Sequence, residues 1–148
     1  MEQTEIPHKK VGVPHQWLHY LLLGGGDLVM IFLFAALGRR SHGEEAGLAA
    51  LAATFATAVP FLVGWLIVAP VAGAYRITRD RGAKVTAWDF VMPMLRAWLL
   101  TWPIALMLRS ILLQREIMLS FALVTLVTNT VLLGAWRLLF GWWRQRNT

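Results

Sequence analysis

Four long apolar runs constrain the fold of this chain more than any other feature of its sequence. A helix needs about 20 mainly apolar residues to cross the hydrocarbon core of a bilayer, and each run reaches that length. Backbone polar groups in lipid must be satisfied within their own segment, which favours helices over open strands. Because short connections make sequence neighbours pack antiparallel, the sequence predicts an all-α membrane protein, an up-down-up-down bundle of four transmembrane helices. The predicted spans are about 17–38, 47–75, 90–113 and 117–140.

The spans make one predicted transmembrane domain, 17–143, between a polar N-terminal segment, 1–16, and a basic C-terminal tail, 144–148. Hydrophobic residues make up 57% of the chain and charged residues 15%, whereas soluble domains carry about 25% charged residues. The first apolar run is longer than the roughly 7–15 residues of a signal-peptide core, so we expect it to be retained as a span. The absence of cysteine excludes disulfides and thiolate metal sites.

Lys and Arg side chains are divided unevenly between the two ends of the predicted bundle. Cytoplasmic loops carry the excess of these residues in multi-span proteins, so both termini, which lie at the richer end, are predicted to be cytoplasmic. The ten at that end are Lys9, Lys10, Arg76, Arg79, Arg81, Lys84, Arg96, Arg137, Arg144 and Arg146, and the four at the other are Arg39, Arg40, Arg109 and Arg115.

Tryptophan and tyrosine mark the same end of the predicted bundle, where amphipathic rings anchor helices at headgroup depth. This topology accounts for the basic residues, so the net charge of +6 does not indicate a nucleic-acid partner. The predicted anchors are Trp17, Tyr20, Tyr75, Trp88, Trp136, Trp142 and Trp143.

Asp27 is the only charged residue inside the first predicted span, and it lies near the middle. An Asp at the bilayer centre costs about 2.5–3.5 kcal/mol on insertion scales, so we expect it to face the bundle and to have a partner. Either it binds a proton or a cation, or it completes a structural ion pair or hydrogen bond. The sequence leaves both open. The predicted midplane polar cluster consists of Asp27, Arg96, Thr101, Trp102, Thr125 and Asn129.

Two other arginines and two tryptophans inside the spans are given structural interpretations. Arg109 and Arg137 lie close enough to the predicted interfaces for their side chains to snorkel into the headgroup region. Trp65 and Trp102 are deeper than the aromatic belt and are interpreted as packed core residues, although they could also line a site.

Small residues predict close helix packing, which is a main source of helix association in lipid. The row Ala49–Ala53–Thr57 in the second span has the spacing of a contact face, and Gly24–Gly25–Gly26 gives the first span a flat patch. The two helical pairs also share a weak internal sequence similarity. Gly73–Ala74–Tyr75–Arg76 is predicted to close the second helix and Gly134–Ala135–Trp136–Arg137 the fourth.

The sequence offers no credible catalytic set, so the chain is not expected to be an enzyme. His15 and His19 stand four apart, a spacing that suits a metal or pigment ligand, but they are interpreted as interfacial histidines. Ser41, His42 and Glu44 are too close in sequence to converge as a triad. No metal site is predicted, and the sequence leaves the cofactor unknown.

Several short motifs carry a family resemblance. They are Gly26–Asp27, Gly38–Arg39–Arg40–Ser41–His42–Gly43, Pro60–Phe61, Gly64–Trp65, Pro70, Gly73, Trp98, Pro103, Arg109, Ser120–Phe121 and Trp136–Arg137. Together they resemble a bacterial membrane family catalogued as domain of unknown function 3054. The resemblance covers roughly Gly24 to Phe140. It implies a compact multi-span protein of a bacterial inner membrane and supplies no activity, substrate or ligand.

Two functions fit these features. The first is a small transporter or channel-like subunit with Asp27 as its midplane carboxylate. The second is a structural or accessory subunit of a larger membrane complex, including one that holds pigments or lipids. The expected partners are the lipid bilayer and either further copies of the chain or a larger complex.

Overall fold

The computed structural model describes residues 16–40, 47–76 and 86–146. These residues form four α-helices, and strands are absent from the described ranges. The helices are α1 (Gln16–Arg40), α2 (Leu48–Val71), α3 (Trp88–Leu113) and α4 (Leu119–Arg146). All four are long and apolar enough to cross a membrane, so the predicted all-α class with four spans is confirmed.

The helices form a closed ring of antiparallel neighbours. α1 packs against α2 and α4, and α3 packs against the same two helices. His19, near the start of α1, contacts the rings of Phe140 and Trp143 near the end of α4. We call the end where α1 begins and α4 finishes the termini end, and the opposite end the loop end.

Large aromatic side chains fill the middle of the ring. Phe61 and Trp65 from α2 and Trp98 from α3 are all fully buried. The ring centroids of Phe61 and Trp98 are 6.5 Å apart, and those of Trp65 and Trp98 are 6.3 Å apart. The interpretation of Trp65 as a core residue is therefore confirmed.

Most of each helix faces outward. In an 18-residue stretch of each span, between 22% and 39% of the residues are buried inside the bundle, and the outward faces are apolar. Lipid, or another membrane protein, has to cover these faces, because water would oppose the exposure of so much apolar surface.

A helix-terminating turn ends α2 four residues earlier than the predicted span. Gly73 has a φ of 76°, a left-handed conformation that glycine adopts without steric cost. The Ala74 N–H donates to the Ala69 carbonyl at 2.8 Å, and the Gly73 N–H donates to the Pro70 carbonyl at 3.2 Å. This is the hydrogen-bond pattern of a Schellman motif. The predicted closure of the second helix at 73–76 is confirmed.

One expectation about a helix end is wrong. The Gly134–Arg137 segment does not close α4, which continues to Arg146 and so includes much of the predicted C-terminal tail. Ala49 is exposed and Ala53 and Thr57 are half-buried, so the row Ala49–Ala53–Thr57 lies beside the inward face of α2, and its role as a contact face stays a prediction. The bulky Phe61 and Trp65 set the inward face, and its buried residues are Thr54, Ala58, Pro60, Phe61, Gly64, Trp65 and Ala69.

Candidate functional site: a buried ion pair at the end of the second helix

Asp27 of α1 and Arg137 of α4 form an ion pair that is completely buried. The Arg137 Nε donates to Asp27 Oδ1 at 2.9 Å, and Nη2 donates to Oδ2 at 2.5 Å. One guanidinium thus engages both carboxylate oxygens. Such bidentate, charge-assisted bonds are among the strongest that side chains make.

The end of α2 supplies the third partner of Arg137. The Arg137 Nη1 donates to the Ala74 carbonyl at 2.8 Å, and the Arg137 Cζ lies 5.2 Å from the centre of the Tyr75 ring. Carbonyl groups at a helix C-terminus carry partial negative charge, so they favour a nearby cation. The guanidinium therefore connects α1, α2 and α4 at a single point.

Trp65 and Tyr75 complete the surroundings of the carboxylate. The Trp65 indole N–H donates to the Tyr75 hydroxyl at 3.1 Å, and both side chains interact with Asp27. We call Asp27, Trp65, Tyr75 and Arg137 the ion-pair centre. Its polar atoms are paired with one another and with the Ala74 carbonyl, as a low-dielectric interior requires.

Glycine in α1 allows the close approach of α4 that aligns this pair. A Cβ at Gly26 would overlap the indole of Trp136, so only glycine accommodates the ring at this position. The Trp136 Nε1 donates to the Leu23 carbonyl at 3.1 Å. Since Gly26 precedes Asp27 and Trp136 precedes Arg137, this contact sets the register in which the charged pair meets.

A second polar group lies between α3 and α4. The Trp102 indole N–H donates to the Ala122 carbonyl at 3.0 Å and to the Thr125 hydroxyl at 3.1 Å. Thr101 donates to the carbonyl of Ala97 in its own helix. The Asn129 Nδ2 donates to the Thr125 carbonyl at 3.1 Å, whereas its buried Oδ1 has no partner among the described residues.

The predicted six-residue cluster is thus divided in the structure. Thr101, Trp102, Thr125 and Asn129 join α3 to α4, and within the described ranges no hydrogen bond links them to Asp27. Arg96 belongs to neither group, because its side chain is exposed on α3. The expectation that Arg96 approaches Asp27 is wrong, since Arg137 occupies both carboxylate oxygens.

The snorkelling interpretation of Arg137 is also wrong. Its side chain is fully buried and its donors point to α1 and α2. Helical periodicity could have identified Arg137 as an inward-facing residue, because it falls on the same buried face of α4 as Thr125, Asn129 and Leu133. Arg109, in contrast, is half-buried at the loop end, with its Cζ 4.0 Å above the Phe121 ring.

Histidine and other metal-binding side chains do not gather in the part of the chain that the structure describes. No group of three or more His, Cys, Asp or Glu side chains occurs there. His19 is half-buried between the rings of Phe140 and Trp143. His15 and the Ser41–His42–Glu44 segment lie outside the described residues.

A surface groove of about 530 Å³ adjoins the ion-pair centre. It runs between the start of α1 and the turn after α2, and its walls are Trp17, Tyr20, Leu21 and Tyr75. Tyr75 therefore contributes both to the groove and to the surroundings of Asp27.

A family model described as "Protein of unknown function (DUF3054)" matches residues 25–140. The chain belongs to the DUF3054 family. Neither the curated proteins nor the solved structures provide a match. The DUF3054 region includes the whole ion-pair centre, together with Gly26 and Trp136, whereas the groove residues Trp17, Tyr20 and Leu21 precede it.

Proposed function

We propose that this protein is a structural or accessory subunit of a larger membrane complex, and that the Asp27–Arg137 pair is an internal lock between its helices. The proposal rests on one observation: the charged groups of the pair are already bound to each other and to the end of α2. Both carboxylate oxygens are held by one guanidinium, whose remaining terminal nitrogen is held by the end of α2. A carboxylate engaged in this way has to lose Arg137 before it can take another partner.

A lock of this kind has a clear physical role in lipid. Lipid chains are as apolar as the helices, so helix association depends on packing and polar contacts. Removing one partner of a buried ion pair typically costs about 3–5 kcal/mol, because the other charge remains uncompensated. The pair therefore stabilises one arrangement of α1, α2 and α4 against alternatives.

The outward faces are compatible with the role of a subunit. The centre of the bundle is filled by Phe61, Trp65 and Trp98, while the outer faces of all four helices are long and apolar. As part of the same proposal, we place the protein in a bacterial cytoplasmic membrane with both termini in the cytoplasm. The distribution of Lys and Arg supports this orientation, and the exposed Trp17, Trp88 and Trp142 are consistent with a membrane interface at the termini end.

A double-substitution cycle tests the lock. Asp27→Leu and Arg137→Met are each expected to lower the free energy of unfolding by about 3–5 kcal/mol, or to prevent accumulation of the protein. The double variant should recover most of that loss, because neither charge is left alone. Unfolding in detergent, followed by circular dichroism, measures the cycle. A double variant as unstable as the sum of the two single variants would contradict a locking role.

The complex itself is tested in the native membrane. Extraction into polymer-bounded nanodiscs should give a particle containing other proteins in a fixed ratio, and the double variant should still enter it. Recovery of the chain only as a monomer or homo-oligomer would contradict the accessory role.

One observation favours transport as a second candidate. The Asn129 Oδ1, which has no partner among the described residues, lies about two helical turns from Arg137 on the same buried face of α4, with Leu133 between them. A second polar group therefore lies deeper in the bundle than the ion pair. A flux assay in proteoliposomes distinguishes the two functions. Proton or ion flux above that of empty vesicles, lost in a folded double variant, would establish transport and overturn the accessory role.

A further inference from the structure

Arg96 is a charged side chain on an outward, apolar face of a membrane-spanning helix. Its neighbours on that face of α3 include Met92, which is 50% exposed, and Leu99, which is 58% exposed. Charged side chains within spans almost always face the bundle interior or find a partner. The position of Arg96 therefore favours an anion that comes from outside the bundle.

The described residues offer no free carboxylate at the depth of Arg96. Asp27 is held by Arg137. Asp89 accepts both bonds from Thr86 on its Oδ2, at 2.6 Å and 3.1 Å, and it lies in the first turn of α3, about two helical turns closer to the termini end than Arg96. Glu116 lies beyond the opposite end of α3. Among the described residues, a second copy adds only the same acids at the same depths, so none of them provides a partner level with Arg96.

The depth and direction of Arg96 favour a lipid phosphate. Arg96 is four to five residues from the midpoint of α3, which is about 7 Å towards the termini end. The edge of the hydrocarbon core lies about 15 Å from the bilayer centre. Because Cα–Cβ bonds tilt towards the helix N-terminus, the side chain of Arg96 extends towards the nearer interface.

Trp88 marks the headgroup layer above Arg96. It begins α3, two helical turns from Arg96, and is 59% exposed. Exposed tryptophan at a span end lies at headgroup depth, where its indole N–H can donate. Other basic side chains at the termini end, including the exposed Arg76 and Arg146, make the local field positive and favour a lipid with net negative charge.

We propose that Arg96, together with Trp88, forms a binding site on α3 for the phosphate of an anionic phospholipid in the leaflet at the termini end. The guanidinium fork matches phosphate oxygens with two parallel donors. The acyl chains of the lipid lie along the apolar face that includes Met92 and Leu99. The site is separate from the ion-pair centre and does not depend on the accessory role.

Native mass spectrometry tests the site with the full-length protein in detergent containing equal amounts of phosphatidylglycerol and phosphatidylcholine with the same chains. Wild type should retain phosphatidylglycerol preferentially. Arg96→Leu should reduce this retention by about tenfold, as expected on losing hydrogen bonds from a charged donor. Arg96→Lys should keep part of it, since the charge remains. Arg115→Leu, a change of an exposed basic residue at the loop end, is the matched control and should retain the lipid as wild type does.

Two results would overturn this inference. The first is equal retention of phosphatidylglycerol by wild type and by Arg96→Leu, with circular dichroism showing both to be folded. The second is a protein adduct formed in native membranes by a photo-crosslinking residue at Leu99 and lost on Arg96→Leu. That adduct would identify a carboxylate of a partner helix, rather than a lipid, as the counter-ion.

Discussion

Gly26 and Trp136 show how one missing side chain determines where a charged pair forms. The indole of Trp136 occupies the space that a Cβ at Gly26 would take, and the adjacent residues Asp27 and Arg137 are thereby brought into register. Gly25, the neighbouring glycine, is exposed and has open space around its Cα. The two positions therefore make a matched comparison within a single helix.

We expect Gly26→Ala to lower the free energy of unfolding by about 1–3 kcal/mol, the usual range for forced overpacking. Gly25→Ala should be neutral or stabilising by up to about 1 kcal/mol, because alanine is the better helix former. Denaturant unfolding in detergent compares the two variants. Equal effects would mean that the contact between Trp136 and α1 does not set the helix spacing.

At the scale of single residues, the sequence predicted that Asp27 would be buried and paired, but it did not identify the partner. The cost of a carboxylate in lipid is a general property, which made burial predictable. The choice between Arg96 and Arg137 depends on how α3 and α4 are rotated about their axes, which the packing of bulky side chains decides. Trp98 and Met94 turn inward on α3, and this rotation leaves Arg96 outside.

The end of α2 is the element on which the candidate site depends. Its Schellman turn places the Ala74 carbonyl on Arg137 and the Tyr75 ring beside it. The related Gly-Ala-Trp-Arg segment of α4 is helical throughout. The two similar motifs therefore have different backbone structures, and Gly73 is the residue whose positive φ requires glycine.

Gly73→Ala is expected to destabilise the protein by about 1–2 kcal/mol, the cost of left-handed backbone for a residue with a Cβ. Gly134→Ala, at the matched position in α4, should be neutral or stabilising, since a Cβ there would meet only Met94 at 3.8 Å and alanine is the better helix former. Thermal unfolding of both variants in one detergent provides the measurement. A Gly73→Ala variant as stable as Gly134→Ala would contradict the need for glycine in this turn.

The number and type of the elements were predictable, because lipid imposes a minimum apolar length on a spanning helix. The positions of the helix ends were less predictable. The second apolar run continues to Tyr75, yet the helix stops at Val71 because Gly73 turns the chain. In α4 the helix passes the last apolar run and continues through basic residues to Arg146, since helix formation does not require apolar side chains.

At the scale of the whole molecule, the orientation in the membrane remains a prediction that single cysteines can check. The chain has no native cysteine, so each introduced thiol reports its own position. Thr86 lies at the termini end and Glu116 at the loop end, and both are exposed. Because the excess of Lys and Arg favours a cytoplasmic termini end, an impermeant maleimide should label Glu116→Cys in intact cells. Thr86→Cys should react only after permeabilisation. The reverse pattern would show that the bundle is inverted.

The closure of the ring between α1 and α4 has a consequence for synthesis on the ribosome. Asp27 and Arg137 are 110 residues apart, a stretch that takes roughly 5 to 22 seconds to translate at about 5–20 residues per second. During that interval the first helix is in the insertion machinery or the bilayer with a carboxylate whose cation has not yet been made. The nascent chain therefore has to keep Asp27 protonated, hydrated or sheltered until its last helix arrives.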